Sequence, residues 1–178
     1  MNVRPVCAFD SANKARRESL RMSAVVEGFV MGLVATIVMD IWALALRRFA
    51  GMPLPNWAMV GRWTGHLPSG TVFHNDIAAA APIRNELALG WATHYLVGII
   101  YGIFFAVIAG AGWLAEPTFL PVWFYALLTI AAGWFLLQPG MGLGVALSKT
   151  ENPNKGRLFG LIAHTWFGVG LWIGALIV

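Results

Sequence analysis

Long stretches without charged residues dominate this sequence and limit what it can fold into. Residues 87–115, 117–148 and 158–178 contain no Asp, Glu, Lys or Arg, and residues 28–46 contain only Asp40. Each stretch exceeds the roughly 18 residues that indicate a membrane-crossing helix. Charged residues make up 11% of the chain, whereas soluble domains have about 25%. The sequence therefore predicts an all-α polytopic membrane protein with four transmembrane helices in an up-and-down bundle.

The predicted transmembrane helices are separated by one long and two short connections. Their approximate bounds are 24–48, 87–110, 121–146 and 157–177. Pro139 lies late in the third helix. Because proline lacks a backbone N–H and its ring clashes with the preceding turn, we expect that helix to kink or end there.

The long connection, residues 49–86, is predicted to lie along the membrane interface. Tryptophan is enriched at membrane–water interfaces, so Trp57 and Trp63 favour this placement. Arg62 beside them is expected to bind lipid phosphate. The loop histidines His66 and His74 are interpreted as solvated or capping residues. In the alternative interpretation, His74 and Asp76 extend a metal site or form an entry to it.

The start of the chain decides the predicted orientation. Residues 1–23 form a basic polar segment ahead of a transmembrane domain that covers residues 24–178, and Met22 is a second candidate start. Counted from Met22, all seven Lys and Arg lie at the end of the bundle opposite the chain termini, which the positive-inside rule places in the cytoplasm. Counted from Met1, five further basic residues lie at the other end, and the bias gives no orientation.

Cysteine content and charge exclude several classes of protein. The single cysteine excludes an intrachain disulfide and a thiolate metal cluster within one subunit. The net charge is +4, but the chain has no basic stripe interleaved with aromatic residues, so we expect no nucleic-acid partner. In a membrane protein such charge contacts lipid headgroups, and the lipid bilayer is the partner that composition predicts.

Each predicted helix contributes one polar residue at a similar depth within the membrane. Asp40 and Gln138 lie about eight residues before the ends of their helices, and His94 and His164 lie about seven residues after the starts of theirs. At about 1.5 Å per residue, all four lie roughly 10 Å below the same end of the bundle. A buried polar cluster of these four residues is therefore expected.

Glycines repeat every four residues on the two helices that carry the histidines. The spacing places small residues on the same helix face as each histidine, and such stripes let helices approach closely in membranes. The polar residues are therefore expected to point into the bundle and away from lipid. The glycines expected to pack against neighbouring helices are Gly90, Gly98, Gly102, Gly160 and Gly168.

The polar cluster has three interpretations, because ionisable residues within a membrane usually pair or serve a site. In the first, Asp40 bonds one histidine and the cluster is structural. In the second, His94 and His164 face each other as axial ligands of haem b, or join Asp40 in a two-histidine, one-carboxylate site for a divalent metal. In the third, the cluster forms a proton or solute path. No catalytic residue is predicted, because the sequence lacks a nucleophile elbow, an H-E-x-x-H motif and a phosphate-binding glycine loop.

Several longer motifs resemble an uncharacterised family of small four-helix bacterial inner-membrane proteins, known only as a domain of unknown function. The resemblance covers about residues 24–178. It rests on the motifs ATIVMDIWAL, VGRWTGHLPSG, FHNDIAAAAPIRNELALGWATHYLVG, QPGMGLGVALSKTENP and AHTWFGVGLW. It implies a four-helix fold and a multi-pass location in the bacterial inner membrane, and it assigns no activity.

These features favour a protein that acts through partners. The functional hypothesis is an accessory or assembly subunit of a larger membrane complex, with a protein partner or a homo-oligomer and a mainly structural Asp–His–His cluster. Nine tryptophans and several glycine-lined faces offer contact surface. A haem- or metal-binding redox protein that uses His94 and His164 is the first alternative, and a small proton-coupled oligomeric transporter is the second.

Overall fold

The computed structural model describes the backbone of residues 4–178 and the side chains of Glu18 and residues 22–178. Three of its helices, together with Met22–Ala50 of the first, are long and apolar enough to cross a membrane. No strand occurs among residues 4–178. The prediction of an all-α, multi-pass membrane protein with four spanning helices is confirmed. The helices are α1 (Arg4–Ala50), α2 (Trp57–His66), α3 (Glu86–Ala115), α4 (Phe119–Gly140) and α5 (Pro153–Ile177).

Helix α1 begins at Arg4, and its membrane-spanning part, Met22–Ala50, agrees with the predicted span of about 24–48. The predicted basic polar segment falls mostly on residues whose side chains lie outside the described part of the chain. The described side chains within it are those of Glu18, Met22 and Ser23.

Proline and glycine explain why α4 ends at Gly140 and not near residue 146. Before Pro139 the helix widens into a π turn over Gly133–Leu137, in which the Gln138 N–H donates to the carbonyl of Gly133. Gly142 and Gly144 follow with φ of 88° and 75°, conformations that glycine adopts readily and that do not continue a helix. π turns within helices are frequent at functional sites.

The four spanning helices form a ring in which one pair of adjacent helices makes little contact. Helix α1 packs along both α3 and α5, and α4 packs along α5, whereas α3 and α4 contact each other only marginally. Helices α3 and α5, which carry His94 and His164, therefore lie on a diagonal of the bundle. The Tyr125 hydroxyl of α4 reaches α3 by donating a hydrogen bond of 2.8 Å to the carbonyl of Tyr101.

Glycines let α1 approach α3 to backbone contact. Gly28 and Gly32 of α1 face Gly98 and Gly102 of α3, and a Cβ added to Gly28 would lie 2.5 Å from the Cα of Ile103. Such small-residue contacts are a common basis of helix association in membranes, where lipid is as apolar as the helix surface.

The other glycines of the predicted stripes face other elements. Gly90 lies against the backbone of α2, and Gly160 and Gly168 of α5 face α4. A further stripe on α5, at Gly170 and Gly174, faces α1. This stripe lies on a different side of α5 from His164. The glycines spaced four residues from His164 therefore do not predict it.

Residues 51–85 fold over one end of the bundle and are called the cap here. Helix α2 lies across the first turns of α3. Trp63 and Ile77 pack with Val60 and Met141 into a small core separate from that of the bundle. The cap covers the end at which α1 and α4 finish and α3 and α5 begin.

Candidate functional site

A cavity of about 420 Å³ lies between the helices beneath the cap. All five helices contribute to its wall, which is largely apolar. Cavities of roughly 300–1,000 Å³ with a few convergent polar groups are typical of small-molecule sites. The hydroxyl and imidazole groups of the wall belong to Thr36, Thr93, His94, Tyr101, Thr129 and His164.

Asp40 holds His94 in a fixed orientation at this wall. One Asp40 oxygen, Oδ1, lies 3.0 Å from His94 Nε2, and the other, Oδ2, accepts a hydrogen bond of 2.8 Å from the Tyr95 hydroxyl. Trp57 of the cap stacks on the imidazole, with ring centroids 4.0 Å apart. Because an ionised carboxylate only accepts hydrogen bonds, His94 Nε2 carries a proton. His94 Nδ1 has no hydrogen-bond partner among the described residues.

His164 is held by α4 and not by Asp40. Its Nδ1 lies 3.0 Å from the carbonyl oxygen of Ala126 and 3.0 Å from the hydroxyl oxygen of Thr129. The Thr129 hydroxyl itself donates to the same carbonyl at 2.7 Å. Since a carbonyl only accepts, Nδ1 carries the proton, and Nε2 of the neutral ring is an acceptor. His164 Nε2 has no hydrogen-bond partner in the described part of the chain.

The predicted four-residue cluster is only partly assembled. Asp40 contacts His94, whereas His164 bonds to α4. Gln138 does not line the cavity, and its Oε1 is buried without a hydrogen-bond partner among the described residues. Residues at the same depth meet only when their helices are neighbours with facing sides. The helices of Asp40 and Gln138 are not such neighbours.

The three-residue ligand set predicted for a divalent metal, Asp40 with His94 and His164, is not assembled. Within residues 22–178, no three His, Cys, Asp or Glu side chains are grouped so that they could hold a metal ion. Asp40 occupies Nε2 of His94 and lies away from His164. Gly90 and Gly98, which flank His94 on α3, pack against α2 and α1 and leave no open space on these sides of the helix. The described residues therefore supply no three-ligand metal site, and haem ligation by His94 and His164 stays a prediction.

Arg62 lies inside the cap, where Glu86 and loop carbonyls occupy the guanidinium that was predicted to bind lipid phosphate. It is 9% exposed, and its Nε and Nη2 donate to the two carboxylate oxygens of Glu86 at 2.9 Å each. These hydrogen bonds raise the pKa of the Arg62 guanidinium above its usual value. The third guanidinium nitrogen, Nη1, donates to the carbonyls of Ile77, Ala78 and Ala80.

The two tryptophans predicted at the interface also face inward. Trp63 is 7% exposed and donates from Nε1 to the carbonyl of Val72 at 2.8 Å. Trp57 and Trp63 both line the cavity. The cap is therefore part of the site, because it supplies the wall that closes the cavity at this end.

A pair of histidines ties α2 to the loop and to α4. His66 Nε2 lies 3.0 Å from the carbonyl oxygen of Ala81, and His74 Nδ1 lies 3.0 Å from that of Gly140. The two remaining nitrogens, His66 Nδ1 and His74 Nε2, are 2.8 Å apart. The loop histidines are thus bonded parts of the cap and not solvated side chains.

Sequence patterns do not single out Tyr95, Thr129 or Gly133 as site residues. A hydroxyl buried in an apolar helix needs a partner, so Tyr95 beside His94 carries a usable signal. Thr129 carries a weaker one, because threonine bonds to its own helix backbone, as it does here to Ala126. No sequence signal indicates Gly133, because the space beside it depends on where the neighbouring helices lie.

A family model described as a protein of unknown function, DUF2938, matches residues 29–178. The chain belongs to this family. The match covers most of the spanning part of α1, the cap and the other spanning helices, so the whole candidate site lies within the DUF2938 region. Comparisons with curated proteins and with solved structures found no match. The resemblance to an uncharacterised family is confirmed, and membership in DUF2938 assigns no activity to the cavity.

Asp40→Leu should lower the free energy of unfolding by about 1–3 kcal/mol, because His94 Nε2 and the Tyr95 hydroxyl would lose their acceptor. Asp40→Asn keeps an acceptor oxygen and should cost less than half as much. Thermal unfolding in lipid nanodiscs measures both changes. Equal losses in the two variants would mean that the charge of Asp40, and not its hydrogen bonds, holds His94.

Proposed function

We propose that this protein is a multi-pass protein of the bacterial inner membrane that binds a small apolar molecule within the bilayer. One observation carries the proposal. His94 and His164, from diagonal helices, line the same cavity of about 420 Å³, and each has one ring nitrogen without a partner among the described residues. An apolar cavity with a few convergent polar groups is the usual form of a ligand site.

The hydrogen bonds that hold the two histidines favour a binding role over a purely structural one. A structural histidine within a membrane is expected to satisfy both ring nitrogens with protein, because unpaired polar atoms are costly there. Here each histidine satisfies one nitrogen and directs its side chain to the cavity. Asp40 and Ala126 fix the two rings, as the supporting groups of a preorganised site do.

A matched pair of glycine substitutions tests the proposal. A Cβ added at Gly133 or at Gly112 would meet no atom of the described residues within 4 Å, but only Gly133 lines the cavity. Gly133→Leu should therefore fill the cavity, and Gly112→Leu should leave it open. Both changes remove a helical glycine and should raise the intrinsic stability by about 0.5–1 kcal/mol.

The measurement is the thermal unfolding of delipidated protein before and after addition of an organic extract of the host membrane. A ligand that binds only the folded protein raises the unfolding temperature. The extract should stabilise the unsubstituted protein and Gly112→Leu, and it should not stabilise Gly133→Leu. Equal stabilisation of all three proteins, or of none, would contradict the proposal.

The accessory-subunit hypothesis stays a prediction, and the binding proposal is compatible with it. A subunit of a larger complex should co-purify with that complex in mild detergent, and isolation as a bare monomer would count against it. The haem alternative also stays a prediction, and it would use His94 Nδ1 and His164 Nε2, the ring nitrogens that the described residues leave without a partner. The transport alternative predicts that Asp40→Asn abolishes proton flux while the protein remains folded.

A further inference from the structure

We infer that the ligand is an amphipathic molecule with an apolar chain and a hydroxyl group, and that it enters sideways from the bilayer between α3 and α4. The inference rests on the proposed binding function. It adds the chemical class of the ligand and the route by which it reaches the two histidines.

The wall of the cavity is incomplete between α3 and α4. Side chains on both edges of this gap line the cavity and are also exposed on the outer surface. On α3 these are Val97, 38% exposed, and Ile100, 51% exposed; on α4 they are Leu136, 45% exposed, and Ala132. A closed helix contact would bury residues that line an internal cavity. Exposure on both edges therefore marks an opening.

The opening faces the membrane core and not water. Val97 lies roughly 16 Å along α3 from the start of that helix, within the membrane-spanning stretch. Towards the cap, the cavity is closed by Val60 and Trp63. Towards the other end of the bundle, the hydrogen bond from Tyr125 to Tyr101 joins α3 and α4. A molecule that enters through this gap must come from the acyl-chain region, so most of its surface is apolar.

The polar groups of the cavity are mainly hydrogen-bond acceptors. His164 uses its Nδ1 proton on the carbonyl of Ala126, so Nε2 of its neutral ring offers a lone pair. The threonine hydroxyls have also used their protons, since each donates to a carbonyl of its own helix: Thr36 to Gly32, Thr93 to Leu89 and Thr129 to Ala126.

A ligand that bonds to His164 Nε2 must therefore donate a hydrogen bond. Among the described hydroxyl and indole groups of the wall, only those of Tyr101 and Trp57 have a proton not already donated to protein. An ether or carbonyl oxygen of the ligand would place its lone pair opposite that of His164 Nε2. Neither atom would then have a hydrogen bond. A hydroxyl group donates to the imidazole nitrogen, while its chain can occupy the gap between α3 and α4.

Labelled 1-dodecanol and methyl dodecyl ether test the ligand class, because they share an apolar chain and differ in the donor. We expect the protein in phosphatidylcholine nanodiscs, corrected for empty nanodiscs, to retain the alcohol roughly tenfold more tightly than the ether. His164→Leu should reduce this preference to nearly one. The Ala126 carbonyl keeps its bond from Thr129 in that variant, so folding should tolerate the change.

A matched pair of tryptophan substitutions tests the route. Ala132 and Ala131 are adjacent and exposed, but only Ala132 lines the cavity. Ala132→Trp should slow the exchange of bound labelled 1-dodecanol with unlabelled alcohol by about tenfold or more, because the ring would obstruct the gap. Ala131→Trp should exchange as fast as the unsubstituted protein. Unchanged exchange in Ala132→Trp would overturn the lateral route.

The outcomes separate this inference from the proposed function. Equal retention of alcohol and ether by the unsubstituted protein, or retention of neither, would overturn the hydroxyl class. Stabilisation by the membrane extract in Gly112→Leu but not in Gly133→Leu would still support a binding cavity. Loss of that difference would overturn the binding function itself.

Discussion

Gly102→Leu should separate α1 from α3 and lower the free energy of unfolding by about 3 kcal/mol or more. A Cβ on Gly102 would lie 2.6 Å from the Cα of Gly32. The obstacle is backbone, so no side-chain rotation can relieve the clash and the helices must move apart. The same crossing brings Asp40 of α1 to His94 of α3. We therefore expect the variant to lose stabilisation by the membrane extract as well.

Gly112→Leu is the matched control for this prediction, because it adds the same side chain to α3 where no atom of the described residues lies within 4 Å. Thermal unfolding in nanodiscs should show a large loss for Gly102→Leu and none for Gly112→Leu. Similar stabilities of the two variants would mean that the close crossing of α1 and α3 does not hold the bundle together.

Arg62→Met should detach the cap and leave the spanning helices folded. The substitution removes the cation beside Glu86 and the donor to three loop carbonyls. Removing one member of a paired, largely buried set is strongly unfavourable, because the remaining partner keeps the cost of its burial. We expect rapid proteolysis within residues 51–85 and loss of ligand-dependent stabilisation, since Trp57 and Trp63 of the cap line the cavity.

Two further variants sharpen this test. Arg84→Met removes an exposed arginine of the cap itself and should have little effect on proteolysis. Arg62→Lys keeps the charge but not the planar fork that bonds both oxygens of Glu86, so it should be intermediate. If Arg62→Met and Arg84→Met were cleaved at the same rate, Arg62 would not be what organises the cap.

The membrane spans follow from the sequence because their signal is local. A run of apolar residues long enough to cross a bilayer needs no knowledge of its neighbours. Helical spacing also indicates that Asp40 and His94 point into the bundle, and the structure brings these two into contact. The pairing of His164 with Ala126 and Thr129 depends on which helices are neighbours, and residue spacing within one helix does not contain that information.

The cavity depends even more on tertiary arrangement. It exists because α3 and α4 stay apart, and the π turn over Gly133–Leu137 contributes to its wall. Arg62 illustrates the same point, since an arginine beside tryptophans in a loop has the local features of a lipid contact. Only the fold of the cap places Glu86 and three carbonyls around it.

Native mass spectrometry of the protein ejected directly from membrane vesicles is the most direct test of a ligand-binding cavity. The unsubstituted protein and Gly112→Leu should each carry the same additional non-protein mass. Gly133→Leu, with leucine filling the cavity, should appear at the mass of the polypeptide alone. An identical pattern of bound mass in all three proteins would contradict the proposal that this cavity holds a ligand.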